Sequence, residues 1–558
     1  MLDVLIVGGG PHALTLATLL TNSDQTTPEH PGTDILKGVQ LSKTKSKPGR
    51  PRSKRRLPAE LPDANVLTES AAAEGLSCPP LQVRVVDSYG RWAWLWESQF
   101  RALNIPHLRS HTLVHTDPLN KRSLQEFVLR EGRENELHHL PERIHIQDEN
   151  AFFNDSRLGK RDKKLLSSSP GLQKNLYFSL PGTQLSVDFF REQVKKYGLD
   201  HILTKGTVER IIPVVSRNEV LHFLVLLQTG ETLEAKRVVM ATGPTRAQMA
   251  NIPPWVSAIS ECYPDERLQH TVQLMHHTPL SHQQEATSQP PDHASLSLGL
   301  PTVCQVGQSV MVVGGGLTSA HINSIALQQG ASHVTWVMRK HLQLKQFDVG
   351  DVESLIGRYS HMEHGIKMDG LAYLRQFYSE RSLHKRLAMI KQARKGGAVT
   401  PEAYAQLQPF IQAGQLTVKA YCQVSEAKWC YQSQKWKVAL SNSEMWTGDQ
   451  IWLATGCKLD VKQDPMLSDV LREFPIQVIE GWPCILENLK WAPGCPLYMM
   501  GQYAGLQIGP HAVNLAGGQA ASLLISKDII GQKPNADAQA EKSRTEAYIK
   551  QMHGLMWL

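Results

Sequence analysis

The chain has no run of 18 apolar residues, no Cys-x-x-Cys pair, and no acidic residue anywhere in its most basic segment. The first absence excludes a transmembrane helix. The most apolar early stretch, Asp3 to Leu20, is cut by three glycines and a proline and has neither a basic flank nor a small-residue cleavage site, so it does not read as a signal peptide. The eight cysteines, at 78, 262, 304, 422, 430, 457, 484 and 495, show no two-residue spacing. That argues against a dithiol/disulfide reductase and a zinc knuckle. Scattered thiols of this kind suit a reduced, cytoplasmic setting. No Ser/His/Asp set and no pair of carboxylates stands at a telling spacing. His270, His276, His277, His282 and His293 crowd a polar stretch without a carboxylate or cysteine at ligand spacing, so no metal site is assigned.

Charge of one sign is concentrated in Lys43 to Arg56, which holds eight basic residues. Without it the formal net charge of +7 falls to −1, so the excess describes one segment and not the body of the protein. Its Gly49-Arg50-Pro51 core resembles a minor-groove AT-hook, and the run also suits a polybasic membrane-surface or localisation segment. A solvated, self-repelling loop is the favoured reading, with nucleic acid as the lesser alternative.

What is present is a repeated pattern. DVLIVGGGPHALTLATLL reads as a buried strand, Val4 to Val7, a glycine turn and an apolar helix from Pro11, where the missing proline N–H costs nothing. Pattern then collapses over 22–79, an expected insertion within the first βαβ unit, and returns at Leu81 with LQVRVVD. Trp92, Trp94 and Trp96 alternate like the face of a strand. Leu185 to Tyr197 reads as a helix; Val220 to Gln228, Thr232 and Arg237 to Ala241 read as strands ending in ATG. SVMVVGGGLTSAHINSIALQQGASHVTWVMRK repeats strand, turn, helix, strand. Residues 346–413 are expected to be mainly helical, and Val418 to Leu453 β-rich up to a second ATG. The fold class predicted is α/β with two Rossmann-like dinucleotide-binding domains. The first is built from 1–245 and 450–532 and the second from 306–449, with 246–305 a linker and 533–558 a tail.

A glycine turn between strand and helix lets backbone N–H groups approach a diphosphate, whose charge then meets the positive end of the helix dipole. Gly8, Gly10 and Ala13 fit GxGxxA, with Pro11 opening the helix, and Gly314, Gly316 and Ser319 fit GxGxxS. One such match is weak, because tight βα turns need glycine on steric grounds alone; two, each correctly flanked, are strong. An acid at the end of the second strand accepts hydrogen bonds from ribose hydroxyls. Asp87 is that acid in the first unit, 79 positions after Gly8 instead of about 25 because of the insertion. In the second unit the place 25 positions past Gly314 holds Arg339, followed by Lys340. Two cations there suit a 2′-phosphate and predict NADPH over NADH.

GGGPHALTLA resembles the FAD fingerprint of the flavin-dependent N-hydroxylating monooxygenases, the lysine and ornithine hydroxylases. The two ATG segments, Ala241–Gly243 and Ala454–Gly456, resemble their crossover strands, GGGLTSA their NADPH turn, and LQIGPHAVNLAGGQAA the last flavin-contacting helix of the wider class. The resemblance implies an FAD domain made from both chain ends with an NADPH domain between. It implies FAD contacts at Gly8, Gly10, Asp87 and Gly501 to Gly509, including Gln507, and NADPH contacts at Gly314, Gly316, Ser319, Arg339 and Lys340. HLRSHTLVHTDP resembles the flavin-adjacent loop; Arg109 stands where the hydroxylases carry a glutamine, and Cys457 follows the second ATG where they prefer an aromatic residue. Arg109 and Asn514 are the residues expected to line the flavin. The activity implied is NADPH- and FAD-dependent monooxygenation, through a hydroperoxyflavin, of a small nucleophile such as an amine, with dioxygen as co-substrate. Two other readings stay open: a flavin-dependent NAD(P)H dehydrogenase or oxidase, and a dinucleotide-binding redox regulator whose basic segment meets a partner.

Overall fold

The computed structural model describes residues 1–22, 81–110, 112, 114–120, 122–139, 179–243, 248–276, 302–344, 361–363, 366–368, 377–393 and 397–531. Almost all of the 22–79 insertion lies outside these residues, as do the basic run, His277, His282, His293 and the 533–558 tail.

All four residues of the strand Val4–Val7 are buried, which requires cover on both faces and suits the centre of a parallel sheet. The strand is central in a six-stranded sheet. In spatial order the strands are Lys490–Ala492, Cys495–Met499, Val238–Met240, Val4–Val7, Val83–Asp87 and Leu203–Lys205. Every neighbouring pair is parallel except the outermost hairpin, Lys490–Ala492 with Cys495–Met499. The register Val4 to Val83 is kept across the insertion, so whatever fills 23–80 leaves the βαβ unit intact. The helix Pro11–Thr21 packs against the last helix, Leu515–Gly531, and joins the two chain ends in one core. Their approach depends on Gly518, where a Cβ would fall 2.3 Å from the His12 ring.

The second sheet has five parallel strands in the order Leu268–His270, Gln450–Leu453, Ser309–Val313, His333–Val337 and Leu416–Lys419. Alternate residues of its strands face opposite sides, as the pleat demands. Val310, Val312, Val334 and Trp336 pack with the helices Leu317–Gln328 and Pro401–Gln412. Met311, Val337, Ile451 and Leu453 pack against Trp429 and Trp436 on the other side. In each half a three-stranded antiparallel sheet is inserted in sequence just before the strand that leads into the ATG segment. The first comprises Val208–Ser216, Glu219–Leu227 and Thr232–Ala235, and the second Val424–Cys430, Lys435–Leu440 and Met445–Gly448. The likeness of the two halves thus extends beyond the glycine turns that sequence reveals.

Four expectations change. The strand Gln450–Leu453 belongs to the second sheet, paired with Ser309–Val313, so the crossover falls after Leu453 and not at 450. The 246–305 linker contributes the strand Leu268–His270 to that same sheet. Trp94 and Trp96 lie on a helix, Trp94–Ala102, where Trp96 stacks on Phe100 at the i,i+4 spacing of a helix face. The described part of 346–413 holds the helices Leu383–Ala393 and Pro401–Gln412 but also short strands at His361–Glu363, Ile366–Met368 and Ala398–Val399.

Two features tie the halves together. Gln248–Ala250 and Cys457–Leu459 form an antiparallel ribbon, so both chain crossings run side by side. Phe377, Leu387 and Ile390 pack with Ile479, Trp482 and Leu506, which docks 377–393 on the chain's C-terminal part although its sequence lies between strands of the second sheet. The seven cysteines among the described residues are all free thiols. Among the described residues, no helix is long and apolar enough to cross a membrane.

Candidate functional site: two glycine turns in one cleft

In the first turn Gly8 has φ +103°, and a Cβ there would lie 2.6 Å from the carbonyl oxygen of Ala241, so both the conformation and the approach of the ATG strand require glycine. Gly10 is different: it caps the helix in extended conformation, and a Cβ would meet nothing within 4 Å. The first helical bond runs from Leu14 N to Gly10 O at 3.0 Å. The amides of His12 and Ala13 therefore precede any intrahelical acceptor and are offered to a ligand at the positive end of the helix. Ala13 itself is fully buried and serves close packing of helix on sheet. Asp87, at the end of the second strand, accepts from Gly9 N at 2.9 Å through Oδ2 and from Tyr89 N at 2.9 Å through Oδ1. Burial pushes its carboxyl above the ordinary range, while these amides and Gly90 N pull the other way. The glycine turn and the acid are thus one hydrogen-bonded unit.

The second turn repeats the geometry. Gly314 has φ +140°, and a Cβ there would fall 2.2 Å from Ala454 O, the first residue of the second ATG. Gly316 caps its helix with open space beside it. Ser319 is fully buried and donates its hydroxyl to Gly316 O, so it secures the turn from behind. Its role matches that of Ala13.

Both turns open into the same cleft of about 2040 Å³. Gly8 and Asp87 line one region of its wall; Gly314, Gly316, Arg339 and Lys340 line another, with Thr242 and Thr455 of the two ATG segments also in the wall. The strand ends therefore present opposite charge to one cavity, an acid in the first unit and two cations in the second. The turns fit diphosphates because nothing stands where Gly10 and Gly316 lack side chains. Sequence reasoning missed Asn251, Asp464 and Tyr421 in this wall. Asn251 Nδ2 donates to Thr455 O at 3.2 Å, and Asp464 accepts from Tyr503 at 2.7 Å, its pKa raised by burial. None of the three stands in a motif.

The other expected residues are dispersed. Asn514 caps the last helix, its Oδ1 accepting from Gly517 N at 3.1 Å, and its carbonyl pairs with His12 Nε2 at 2.8 Å, which places it beside the first turn. Gln507 has both ends of its amide engaged, by Arg386 at 2.8 Å and by Ile485 O at 2.6 Å. Gly501 and Gly509 have φ +64° and +95°, and Gly509 lies against Phe377. Arg109 is exposed and stands near the second helix, where its charge bears on His321. His321 is buried with no partner for Nε2 among the described residues, and burial with the Arg109 charge pushes its imidazole down to about 4. His270 is held by Thr455 Oγ1 at 3.1 Å and by Val272 N at 3.1 Å.

The fold this defines is two parallel α/β sheets, the second set within the chain that builds the first. No family model matches the sequence, and no curated protein matches it. Among solved structures it is similar to ornithine hydroxylase from Pseudomonas aeruginosa, at TM-score 0.53 and 14% identity over 95% of this chain and 99% of that one. The reduced form of that enzyme gives 0.55 over the same shares, also at 14% identity. L-Lysine 6-monooxygenase from Pseudomonas syringae gives 0.53 at 12% identity over 96% of this chain and 100% of the other. The resemblance read from GGGPHALTLA therefore holds at the level of the fold.

Proposed function

We propose that the protein is an FAD- and NADPH-dependent monooxygenase acting on a small nucleophilic substrate, an amine foremost. One observation carries this: two diphosphate cradles with oppositely charged strand ends, Asp87 and Arg339–Lys340, share one cleft. Opposite charge selects different nucleotides, an unmodified ribose at Asp87 and a 2′-phosphorylated one at Arg339. A common cavity allows electrons to pass between their rings. The neighbours of like fold are by name an ornithine hydroxylase and a lysine monooxygenase, which supports an amine as acceptor.

Bound FAD, reduced by NADPH, would supply the oxygen-activating chemistry. The chain's own residues bind and orient. The amides of His12 and Ala13 grip one diphosphate, Asp87 takes ribose hydroxyls, and Asn514 fixes His12 against the last helix. The amides opening the Leu317–Gln328 helix grip the second diphosphate, and Arg339 and Lys340 neutralise the 2′-phosphate.

Purified protein should take up FAD and turn yellow, and NADPH should bleach it without oxygen. On admitting ¹⁸O-labelled dioxygen with lysine, ornithine or a simple primary amine, one labelled atom should enter the product. Stoichiometric hydrogen peroxide with every amine would favour an oxidase. A protein that never binds FAD would leave only the regulator reading.

A further inference from the structure

The wall beyond Arg339 and Lys340 carries an aromatic residue that folding alone does not account for. Tyr421 lines the cleft with 66% of its surface exposed, and its backbone has φ +52°, in the left-handed region. That conformation costs a residue with a Cβ roughly 1–2 kcal/mol, and an exposed ring returns little of it through burial. The strained position is nonetheless firmly built. Tyr421 N donates to Lys340 O at 3.2 Å, Cys422 N to Met338 O at 2.9 Å, and Met338 N to Lys419 O at 2.9 Å. These bonds stitch Tyr421 to the turn that bears the two cations. The phenol lies 3.3 Å from His341 Nδ1, and the two rings meet at 44° with centroids 6.0 Å apart. They form a corner, not a parallel slot, so a planar ligand would lie on the outer face of Tyr421.

Ligand chemistry then narrows the choice. In a 2′-phosphorylated adenine dinucleotide the phosphate and the base hang from adjacent ribose carbons, C2′ and C1′. Anchoring the phosphate at Arg339 leaves the purine within one ribose of that side chain. We infer that Tyr421, held by His341 and by the 338–340 turn, is the stacking platform for the adenine ring of NADPH. This rests on the reading of the cationic strand end as the 2′-phosphate site. Stacking on an aromatic face is worth about 1–3 kcal/mol per base, enough to reward a locally strained backbone.

The test uses the full chain and adenosine 2′,5′-bisphosphate, which carries the base and the phosphate but no nicotinamide. Tyr421→Gly removes the ring and suits the left-handed backbone, so the fold is kept; Tyr421→Phe keeps the ring and loses the phenol. Titration calorimetry should show Kd rising about tenfold in Tyr421→Gly and by no more than about threefold in Tyr421→Phe. Reduction of the flavin by reduced nicotinamide mononucleotide, which carries the hydride but lacks adenosine, should be unchanged in both. Wild-type affinity in Tyr421→Gly, alongside lost affinity in Arg339→Ala, would overturn the platform and leave the NADPH site standing. Failure of the unaltered chain to bind the bisphosphate would overturn both.

Discussion

The carbonyl oxygen of Ala454 occupies the space that a side chain on Gly314 would need, 2.2 Å from the ideal Cβ position. Ala241 stands in the same relation to Gly8, at 2.6 Å. Each ATG segment is thus the back wall of a glycine turn: Ala454 N bonds Val313 O and Ala241 N bonds Val7 O, both at 2.9 Å. The two motifs of each half are one steric unit that requires the first glycine, whereas a Cβ on the second, Gly10 or Gly316, would meet no neighbour.

This separates two kinds of glycine variant. Gly314→Ala combines a left-handed φ with a backbone clash, and should destabilise the unliganded protein by about 3 kcal/mol. Gly316→Ala meets no neighbour and should cost the unliganded protein about 1 kcal/mol at most, the difference between glycine and alanine at a helix cap. Its Cβ would instead stand in the approach of the diphosphate and weaken NADPH by at least about tenfold. Thermal unfolding without nucleotide, followed by titration with NADPH, reads both. Equal melting temperatures for the two variants would contradict the division.

Arg339→Ala should raise the Km for NADPH much more than that for NADH. Loss of a charge-assisted contact to the 2′-phosphate costs roughly 1.5–3 kcal/mol, or about 10- to 150-fold. Steady-state flavin reduction with each nucleotide measures the ratio, and an equal loss for both would remove Arg339 from the phosphate site.

His321 should make stability fall with acid. Its imidazole is held down to about 4, chiefly by burial and further by the Arg109 charge, against an ordinary value of 6.5. Below about pH 6.5 the unfolded chain takes up a proton that the folded chain refuses until about pH 4. Stability is therefore lost across that window, by an amount on the order of 3 kcal/mol, and the slope flattens below it. Denaturation midpoints between pH 4 and 8 should be steeper for the wild type than for His321→Leu, which has nothing to titrate. Parallel curves would show that His321 takes up its proton at an ordinary pH.

Arg386 should prove structural. Only 8% exposed, it donates to Glu380 O at 2.8 Å, Leu506 O at 3.2 Å and Gln507 Oε1 at 2.8 Å, with the Phe377 ring 5.3 Å away. Burial lowers its pKa. Arg386→Ala strands these acceptors and should cost about 3 kcal/mol, lowering the melting temperature by several degrees. NADPH affinity at low temperature should survive, because Arg386 bonds to no residue of the second turn. Unchanged melting would mean that 377–393 does not dock where the fold puts it.

How much of this was legible in advance follows from the range of the interactions. Both turns, Asp87 and the Arg339–Lys340 pair were readable because they obey local rules, a strand period, a helix start and a fixed spacing of glycines. The insertion did not hide Asp87, since LQVRVVD still reads as a buried strand ending in an acid. The tryptophans at 92, 94 and 96 misled because alternation over three positions fits a strand as well as the approach to a helix. The strand Gln450–Leu453 was placed in the wrong half because so short a run, buried throughout, carries no mark of which sheet it joins.

By itself, the sequence determined the two glycine turns, the sign of charge at each strand end and the strand–helix order around them, because each depends on residues near in the chain. Only the tertiary structure decided that the two turns share a cleft, that Asn514 sits beside His12, that Arg109 bears on His321, and that Tyr421 meets Lys340. Those contacts join residues up to several hundred positions apart, through sheet pairing and helix packing that apolar strands specify only collectively. Chemistry along the chain is local, but the cavity in which it is brought together is a property of the whole fold.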